Sequence, residues 1–309
     1  MTQTKEMIDF KRLELSDKPL YDRYLENESG RGCEFSFANL YLWGRQNFAE
    51  VHGHVVIFSQ FNRRSVYPYP VGQGDKKAVL DAIIEDAEAR GIPCRITGVS
   101  ESARQTIEGL YPNRFRFHCD EGSFDYVYSI DDLADLAGKK YHSKRNHLKR
   151  FYESYPAFSV EPLCDGNIEK VRSMVKTWYE TKLAEDPNGD YYMEQAALER
   201  AFRDHRELGM DGLVLLDGDE VLAFTLGSRL SADTFDVNFE KARAGVNGAY
   251  AAINNEFAKY IRKKYPDIKY LDREEDMGLE GLRKAKKSYY PHHMVEKCWA
   301  CLLEDGYDY

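Results

Sequence analysis

A β-hairpin is the clearest structural prediction from this sequence, and it restricts the fold of the second half of the chain. Two apolar runs, at residues 212–216 and 220–226, flank the turn Asp217-Gly218-Asp219, whose Asp-Gly pair suits positive φ. Residues 234–240 alternate apolar and polar side chains, which predicts a third strand. Helices are predicted at 167–183, 194–208 and 249–264. This order favours a mixed sheet flanked by helices.

The first half of the chain also alternates strands and helices. Strands are predicted at 54–61, 65–70, 94–99, 115–119 and 124–128. Helices are predicted at 17–27, 75–91 and 101–110, and two more strands follow late in the chain, at 268–271 and 294–303. A length of 309 residues fits two domains at ~150 residues each. We therefore predict an α/β (α+β) protein with domains at 1–138 and 157–309, joined by a basic linker helix at 139–156.

Composition and charge narrow the possible partners and compartments. The net charge of −9 disfavours binding to nucleic acid or anionic lipid except at a local basic patch. The first ten residues carry charges where a signal peptide needs an apolar core, and no apolar run approaches the ~18 residues of a membrane span. We expect a cytoplasmic protein with no integral membrane segment.

The six cysteines are scattered over the chain and form no disulfide framework. Cys298 and Cys301 have CxxC spacing but stand alone in an apolar, strand-like run, with no second pair of metal ligands. We interpret the cysteines as buried thiols and expect no metal site.

Several strings in the sequence resemble a known group of proteins. They are Lys-Tyr-His-Ser-Lys-Arg-Asn-His-Leu at 140–148, Glu-Lys-Ala at 240–242, the acidic and basic segment at 272–286, and Ser-Tyr-Tyr-Pro at 288–291. Together they resemble an uncharacterised bacterial family that is similar to the C-terminal synthase domain of phosphatidylglycerol lysyltransferase. That family is related more distantly to the Fem peptidyltransferases, which use paired GNAT acyltransferase domains.

This resemblance implies two tandem GNAT-like domains, each a mixed, mostly antiparallel sheet flanked by helices. The element order of the second half is the GNAT order. The resemblance also implies transfer of an aminoacyl group from a charged tRNA to a small-molecule or headgroup acceptor. No cofactor is certain, and aminoacyl-tRNA or acetyl-CoA is the expected donor.

Two segments are candidates for phosphate binding, to tRNA or to CoA. The segment 139–150 has six Lys and Arg residues and no acid, and Lys140, Lys144 and Arg145 are its candidate phosphate ligands. A solvated linker helix is the alternative. The loop with Arg243, Gly245 and Gly248 has the place of a GNAT phosphate loop with shifted spacing, and a tight-turn loop is the alternative.

The acidic segment follows a predicted short strand, so its acids are expected near the carboxyl edge of a sheet, where α/β proteins bind ligands. Asp272, Glu274 and Glu275 suit an amine ligand, and a helix with acids in its first turn is the alternative. Asp236 and Asn238 share the face of Glu240 on one strand and are also candidate substrate ligands.

Acylation of an amine needs a base, an acid for the leaving group and donors for the oxyanion. Glu240 is the candidate base because it ends a strand where a GNAT base acts. Tyr289 (or Tyr290) is the candidate acid, and Lys286 or Arg273 would stabilise the oxyanion.

Three functions remain open from the sequence. The first is aminoacyl transfer from a charged tRNA to an amine or hydroxyl acceptor. The second is acetyl-CoA-dependent N-acetylation, and the third is binding of tRNA or a nucleotide without catalysis. Nucleophilic catalysis has no support, because the sequence has no Gly-x-Ser-x-Gly elbow and no cysteine in a recognisable protease context. A Walker phosphate loop is also absent.

Overall fold

A computed structural model describes residues 7–303 except 27, 29–30, 45, 62–63, 188 and 190. Its contacts divide the chain into two compact units. The first unit comprises Met1–Asp125, Glu275–Leu279 and Met294–Tyr309, and the second comprises Tyr126–Glu274 and Glu280–His293.

The described residues form the following helices and strands. The helices are α1 (Lys18–Leu25), α2 (Phe37–Leu42), α3 (Lys76–Arg90), α4 (Glu101–Leu110), α5 (Ile130–Asp135), α6 (His142–Ser154), α7 (Asp165–Glu185), α8 (Tyr192–Asp204), α9 (Ala249–Lys264) and α10 (Glu280–Lys287). The strands are β1 (Lys11–Arg12), β2 (Gln46–Val51), β3 (His54–Phe61), β4 (Arg64–Pro68), β5 (Val71–Gly72), β6 (Arg95–Val99), β7 (Phe115–Cys119), β8 (Asp125–Ser129), β9 (Ser159–Pro162), β10 (Asp211–Asp217), β11 (Glu220–Arg229), β12 (Thr234–Ala242), β13 (Tyr270–Asp272), β14 (His293–Val295) and β15 (Cys298–Leu302).

The first unit contains an eight-stranded sheet ordered β1-β2-β3-β4-β6-β15-β7, with β5 paired to β3. Its neighbouring strands are antiparallel except at β4 and β6, which are parallel. Helix α3 packs its apolar side chains into the core on this sheet. The helix begins at Asp75, whose carboxylate accepts two backbone N–H groups, and ends at Gly91 with φ 66°.

The second unit contains a seven-stranded sheet ordered β14-β8-β13-β12-β11-β10-β9. The predicted hairpin is β10–β11, and Gly218 at its turn has φ 58°. Strands β12 and β13 are parallel, whereas β9 to β12 pair antiparallel in turn. Helices flank both sheets, so the predicted fold class of two mixed, mostly antiparallel sheets is confirmed. The second unit keeps the predicted order of helix, helix, hairpin, strand, loop, helix and strand.

The two units do not follow the predicted ranges of the domains. Strand β8, expected in the first domain, lies in the second sheet, and β15, expected in the second domain, lies between β6 and β7. The segment expected as a linker contains α6, which belongs to the second unit and buries Leu148 and Phe151. It is therefore an integral helix of that unit.

The interpretation of all six cysteines as thiols is wrong for two of them. Cys119 on β7 and Cys298 on β15 are directly paired in the sheet and form a disulfide bond. Cys33 and Cys94 are buried thiols, as predicted, but Cys164 is exposed and Cys301 is partly exposed. Among the described helices, none combines the length and apolarity that crossing a bilayer requires.

Candidate functional site

The two parallel strands of the second sheet are paired over only three residues. Strand β13 pairs with β12 along the first residues of β12 only, ending at the register Asp236 opposite Asp272. Beyond this point β12 continues to Ala242 without β13 beside it. Both aspartates are fully buried. Glu240 and Arg273 therefore lie past the last paired residues of the two strands, at a position that we call the β12–β13 seam.

Glu240 and Arg273 form a buried ion pair across this seam. The Arg273 guanidinium donates to Glu240 Oε1 at 2.7 Å. The side chain of Glu240 is 9% exposed and that of Arg273 is 15% exposed. Burial disfavours the arginine cation, but the charge and hydrogen bond of Glu240 and the nearby Tyr128 and Tyr289 together outweigh burial, so the pKa of Arg273 is raised. Glu240 Oε2 is buried and has no hydrogen-bond partner among the described residues. The carboxylate is thus held by one oxygen, and the other is available to accept a proton.

Asn238 connects the remaining polar side chains of β12. Its amide donates to Asp236 Oδ2 at 2.7 Å, and its Oδ1 accepts the hydroxyl of Ser228 on β11 at 3.0 Å. The bond between Asn238 and Asp236 places these two side chains on the same side of β12. The polar row lies in a strand that is otherwise buried.

The segment after β13 is held by Lys286. Its ammonium donates to the carbonyls of Arg273 at 2.5 Å and Glu274 at 2.9 Å. Asp272 Oδ1 accepts the backbone N–H of Glu274 at 2.8 Å, and Glu274 has φ 56°. Lys286 was predicted as an oxyanion donor. The structure places its N–H groups on backbone carbonyls, where they shape the turn that presents Arg273.

Glu275 belongs to a different group of side chains from Asp272 and Glu274. It lies in the first unit, where its carboxylate is 3.8 Å from Lys297 Nζ. In the same unit Cys33, Glu34 and Asp125 have ligand-type atoms within 4.8 Å of one another. Lys297 Nζ is 2.9 Å from a carboxylate oxygen of Glu34 and of Asp125. The ammonium already supplies the cation that this cluster requires.

Lys144 lies in the seam site and was assigned to phosphate binding from the sequence. Its ammonium donates to Ser288 Oγ at 2.6 Å and lies 3.7 Å from the ring centroid of Tyr289. Burial, with a further effect of the nearby Arg273 charge, lowers the pKa of Lys144 to about 8. Sequence patterns do not indicate that Lys144 contacts Ser288 and Tyr289, because Lys144 and Ser288 are 144 residues apart in the chain.

Tyr289 is buried beside the same two cations. The Arg273 guanidinium carbon lies 5.2 Å from its ring centroid. Burial raises the pKa of Tyr289 to about 12, so its hydroxyl is protonated at neutral pH. Tyr290, the other candidate acid, is exposed.

The other cations chosen from the basic segment are engaged in local contacts. Arg145 donates to the carbonyls of Leu136 at 2.5 Å and Gly138 at 2.7 Å. Lys140 forms an exposed ion pair with Asp132 at 3.2 Å. These contacts hold the start of α6 rather than leaving the side chains directed at a ligand.

The loop between β12 and α9 takes the positive φ angles that its glycines permit. Gly245 has φ 83° and Gly248 has φ 81°. A Cβ at Gly248 would lie 2.5 Å from the carbonyl oxygen of His147, so α6 packs directly on the start of α9. Arg243 forms an ion pair with Glu220. Close helix packing accounts for Gly248 without a phosphate.

Two mixed sheets flanked by helices define an α+β protein with a GNAT-like architecture. Residues 27–301 match the family described as phosphatidylglycerol lysyltransferase, C-terminal, and the chain belongs to that family. The resemblance inferred from the sequence is thereby confirmed.

Solved structures share the architecture over nearly the whole chain. A conserved protein of unknown function from Bacteroides thetaiotaomicron is 37% identical, with 96% of this chain and 100% of that chain covered and a TM-score of 0.91. L-PGS from Bacillus licheniformis is 13% identical, with 94% and 93% covered and a TM-score of 0.69. FemX is 12% identical, with 96% and 98% covered and a TM-score of 0.58. The last two show a common fold.

The chain also matches part of a curated relative. An uncharacterized protein of Mycoplasmoides gallisepticum is 24% identical over 182 residues, which are 57% of this chain. The match spans about half of that relative, 56% of its length.

Proposed function

We propose that this protein is an acyltransferase that moves an aminoacyl group from a charged tRNA to an amine or hydroxyl acceptor at the β12–β13 seam. The observation that carries the proposal is Glu240, a buried carboxylate with one oxygen held by Arg273 and the other without a partner among the described residues. Membership of the lysyltransferase family and the fold shared with L-PGS and FemX support the choice of donor.

The side chains of the seam match the steps of acyl transfer. Glu240 Oε2 takes the proton of the attacking nitrogen or oxygen as that atom bonds to the ester carbon. The tetrahedral oxyanion requires positive charge, which Arg273 and Lys144 supply. When the ester C–O bond breaks, the leaving 3′-oxygen of the tRNA receives a proton from Tyr289. Asp236 and Asn238 precede Glu240 on β12 and are the proposed ligands of an amine group.

The test is transfer of a labelled amino acid from charged tRNA to a panel of amines and lipid headgroups. We expect acceptor-dependent release of label from the tRNA, and a rate lowered by about 10²–10⁴ in Glu240→Gln, which is the usual contribution of a general base. Glu207→Gln, at an exposed position of the same unit, is the matched control.

Three results would count against the proposal. Unchanged transfer by Glu240→Gln would remove Glu240 as the base. Transfer of acetyl from acetyl-CoA without aminoacyl transfer would favour an N-acetyltransferase. Binding of charged and uncharged tRNA with equal affinity, without transfer of either group, would favour a binding protein.

A further inference from the structure

A groove of about 360 Å³ lies in the second unit, along α7 and the loop after β12. Its wall includes Trp178 and Met174, and its rim includes Lys170, Asp219, Glu220 and Arg243. We call it the Trp178 groove. The residues of the proposed acyl transfer do not line it.

Trp178 is held from behind by a buried lysine. Lys241 Nζ lies 3.8 Å from the indole centroid, and its side chain is 5% exposed. The ammonium also donates to Glu194 at 2.8 Å, and the hydroxyl of Tyr179 donates to the other oxygen of Glu194 at 2.8 Å. These contacts fix the indole in one position. A fixed aromatic surface in a groove suits stacking by a flat heterocycle, because little side-chain freedom is lost on binding.

Two cations lie at the rim of the groove. Each forms an ion pair with a carboxylate, and a ligand can take the place of that carboxylate. Lys170 contacts Asp219 at 2.5 Å, and Arg243 contacts Glu220. Both cations are 43% exposed. Exposed ion pairs of this kind contribute little, whereas a guanidinium binds a phosphate through two parallel hydrogen bonds. A phosphate can therefore displace Glu220 from Arg243, and the carboxylates remain as acceptors for an exocyclic amine.

We propose that the Trp178 groove binds an adenosine phosphate, with the base on Trp178 and the phosphate on Arg243 and Lys170. Its role as part of the acyl donor rests on the proposed function. Arg243 lies three residues after Glu240, directly after the end of β12. The 3′ end of a tRNA and coenzyme A both carry adenosine phosphate, and either is a possible source.

The primary test is calorimetric titration of the full chain with 5′-AMP. We expect binding at one site, weakened about tenfold or more by Trp178→Ala and by Arg243→Gln. Glu220→Gln should tighten binding, because it removes the carboxylate that competes for Arg243. Lys176→Gln, on the same helix and 80% exposed, should leave binding unchanged. Arg243 is on the surface, so we expect Arg243→Gln to fold. This variant therefore tests the proposal even if Trp178→Ala fails to fold.

Competition distinguishes the two sources of the ligand. Displacement of AMP by coenzyme A and not by a C-C-A trinucleotide supports the groove as a coenzyme site, and the reverse supports it as a tRNA site. The proposal is overturned if AMP does not bind, or if Trp178→Ala and Arg243→Gln both bind it as the wild type does.

This result is separable from the proposed function. Glu240→Gln should bind AMP normally, since it does not line the groove. AMP binding without any acyl transfer would refute the proposed function and leave the groove assignment intact. Normal transfer by Trp178→Ala, with an unchanged KM for the donor, would refute the assignment of the groove to the acyl donor and leave the proposed function intact.

Discussion

Glu240 and Arg273 show how a buried carboxylate can be stabilised while one of its oxygens stays available for proton transfer. A carboxylate that is 9% exposed is strongly disfavoured without a partner, and Arg273 supplies one at 2.7 Å. The pairing uses a single oxygen of Glu240, so the cost of burial is offset while Oε2 keeps its lone pairs. Lys286 contributes indirectly, because it holds the backbone that carries Arg273.

Lys144 should give the stability of the protein a measurable pH dependence. Its pKa is lowered from 10.5 to about 8 in the folded state, chiefly by burial. Between these values the unfolded chain binds more protons, so the folded state gains stability as pH rises from 8 to 10.5. We expect the melting temperature of the wild type to rise relative to that of Lys144→Met over this range. Lys176→Met, at an exposed site, should show no such trend, and parallel curves for Lys144→Met would contradict the lowered pKa.

At the level of single elements, the sequence carried most of the information. The hairpin, α4 and α9 were predicted because periodicity and turn residues are local signals. The role of α6 was not predictable in this way. Its cations indicated phosphate binding, whereas Arg145 bonds to nearby carbonyls and Lys144 finds its partner Ser288 in a segment that only the fold brings near. The seam residues Glu240 and Arg273 were chosen from the sequence, but their ion pair depends on the short length of β13.

The packing of α6 on α9 can be tested with two glycines of one loop. Gly248→Ala should destabilise the protein by about 1–3 kcal/mol for its φ of 81°, and by more for the contact of a Cβ with His147. Gly245→Ala has a similar φ of 83° but meets no atom within 4 Å, so only the conformational cost applies. Urea denaturation of both variants measures the difference. Equal losses of stability would show that α6 does not press on Gly248.

At the level of the whole molecule, sequence patterns could not predict which distant segments pair with each other. Strand β15 was predicted as a strand, but its neighbour β7 lies far back in the chain, as the separation of 179 between Cys119 and Cys298 records, and its other neighbour β6 lies farther back still. Hydrophobic alternation describes a strand and does not name its partner. The division into units differs from the predicted ranges for this reason.

The Cys119–Cys298 disulfide should stabilise the first unit. A bridge that closes so long a loop restricts the unfolded chain, and its loss typically costs about 2–5 kcal/mol. We expect reductant to lower the melting temperature of the wild type. The double variant Cys119→Ser/Cys298→Ser should melt at the reduced value and ignore reductant. A wild type that is insensitive to reductant would indicate that the bridge does not form.

The position of β15 also has a consequence for how the protein is made. A ribosome releases the chain from its amino end, and domains usually fold as they emerge. The first unit lacks an interior strand of its sheet until residues 298–302 have been synthesised, whereas every segment of the second unit precedes them. The amino-terminal part of the chain is therefore the last to be completed, and its unpaired β6 and β7 edges await the final strand during translation.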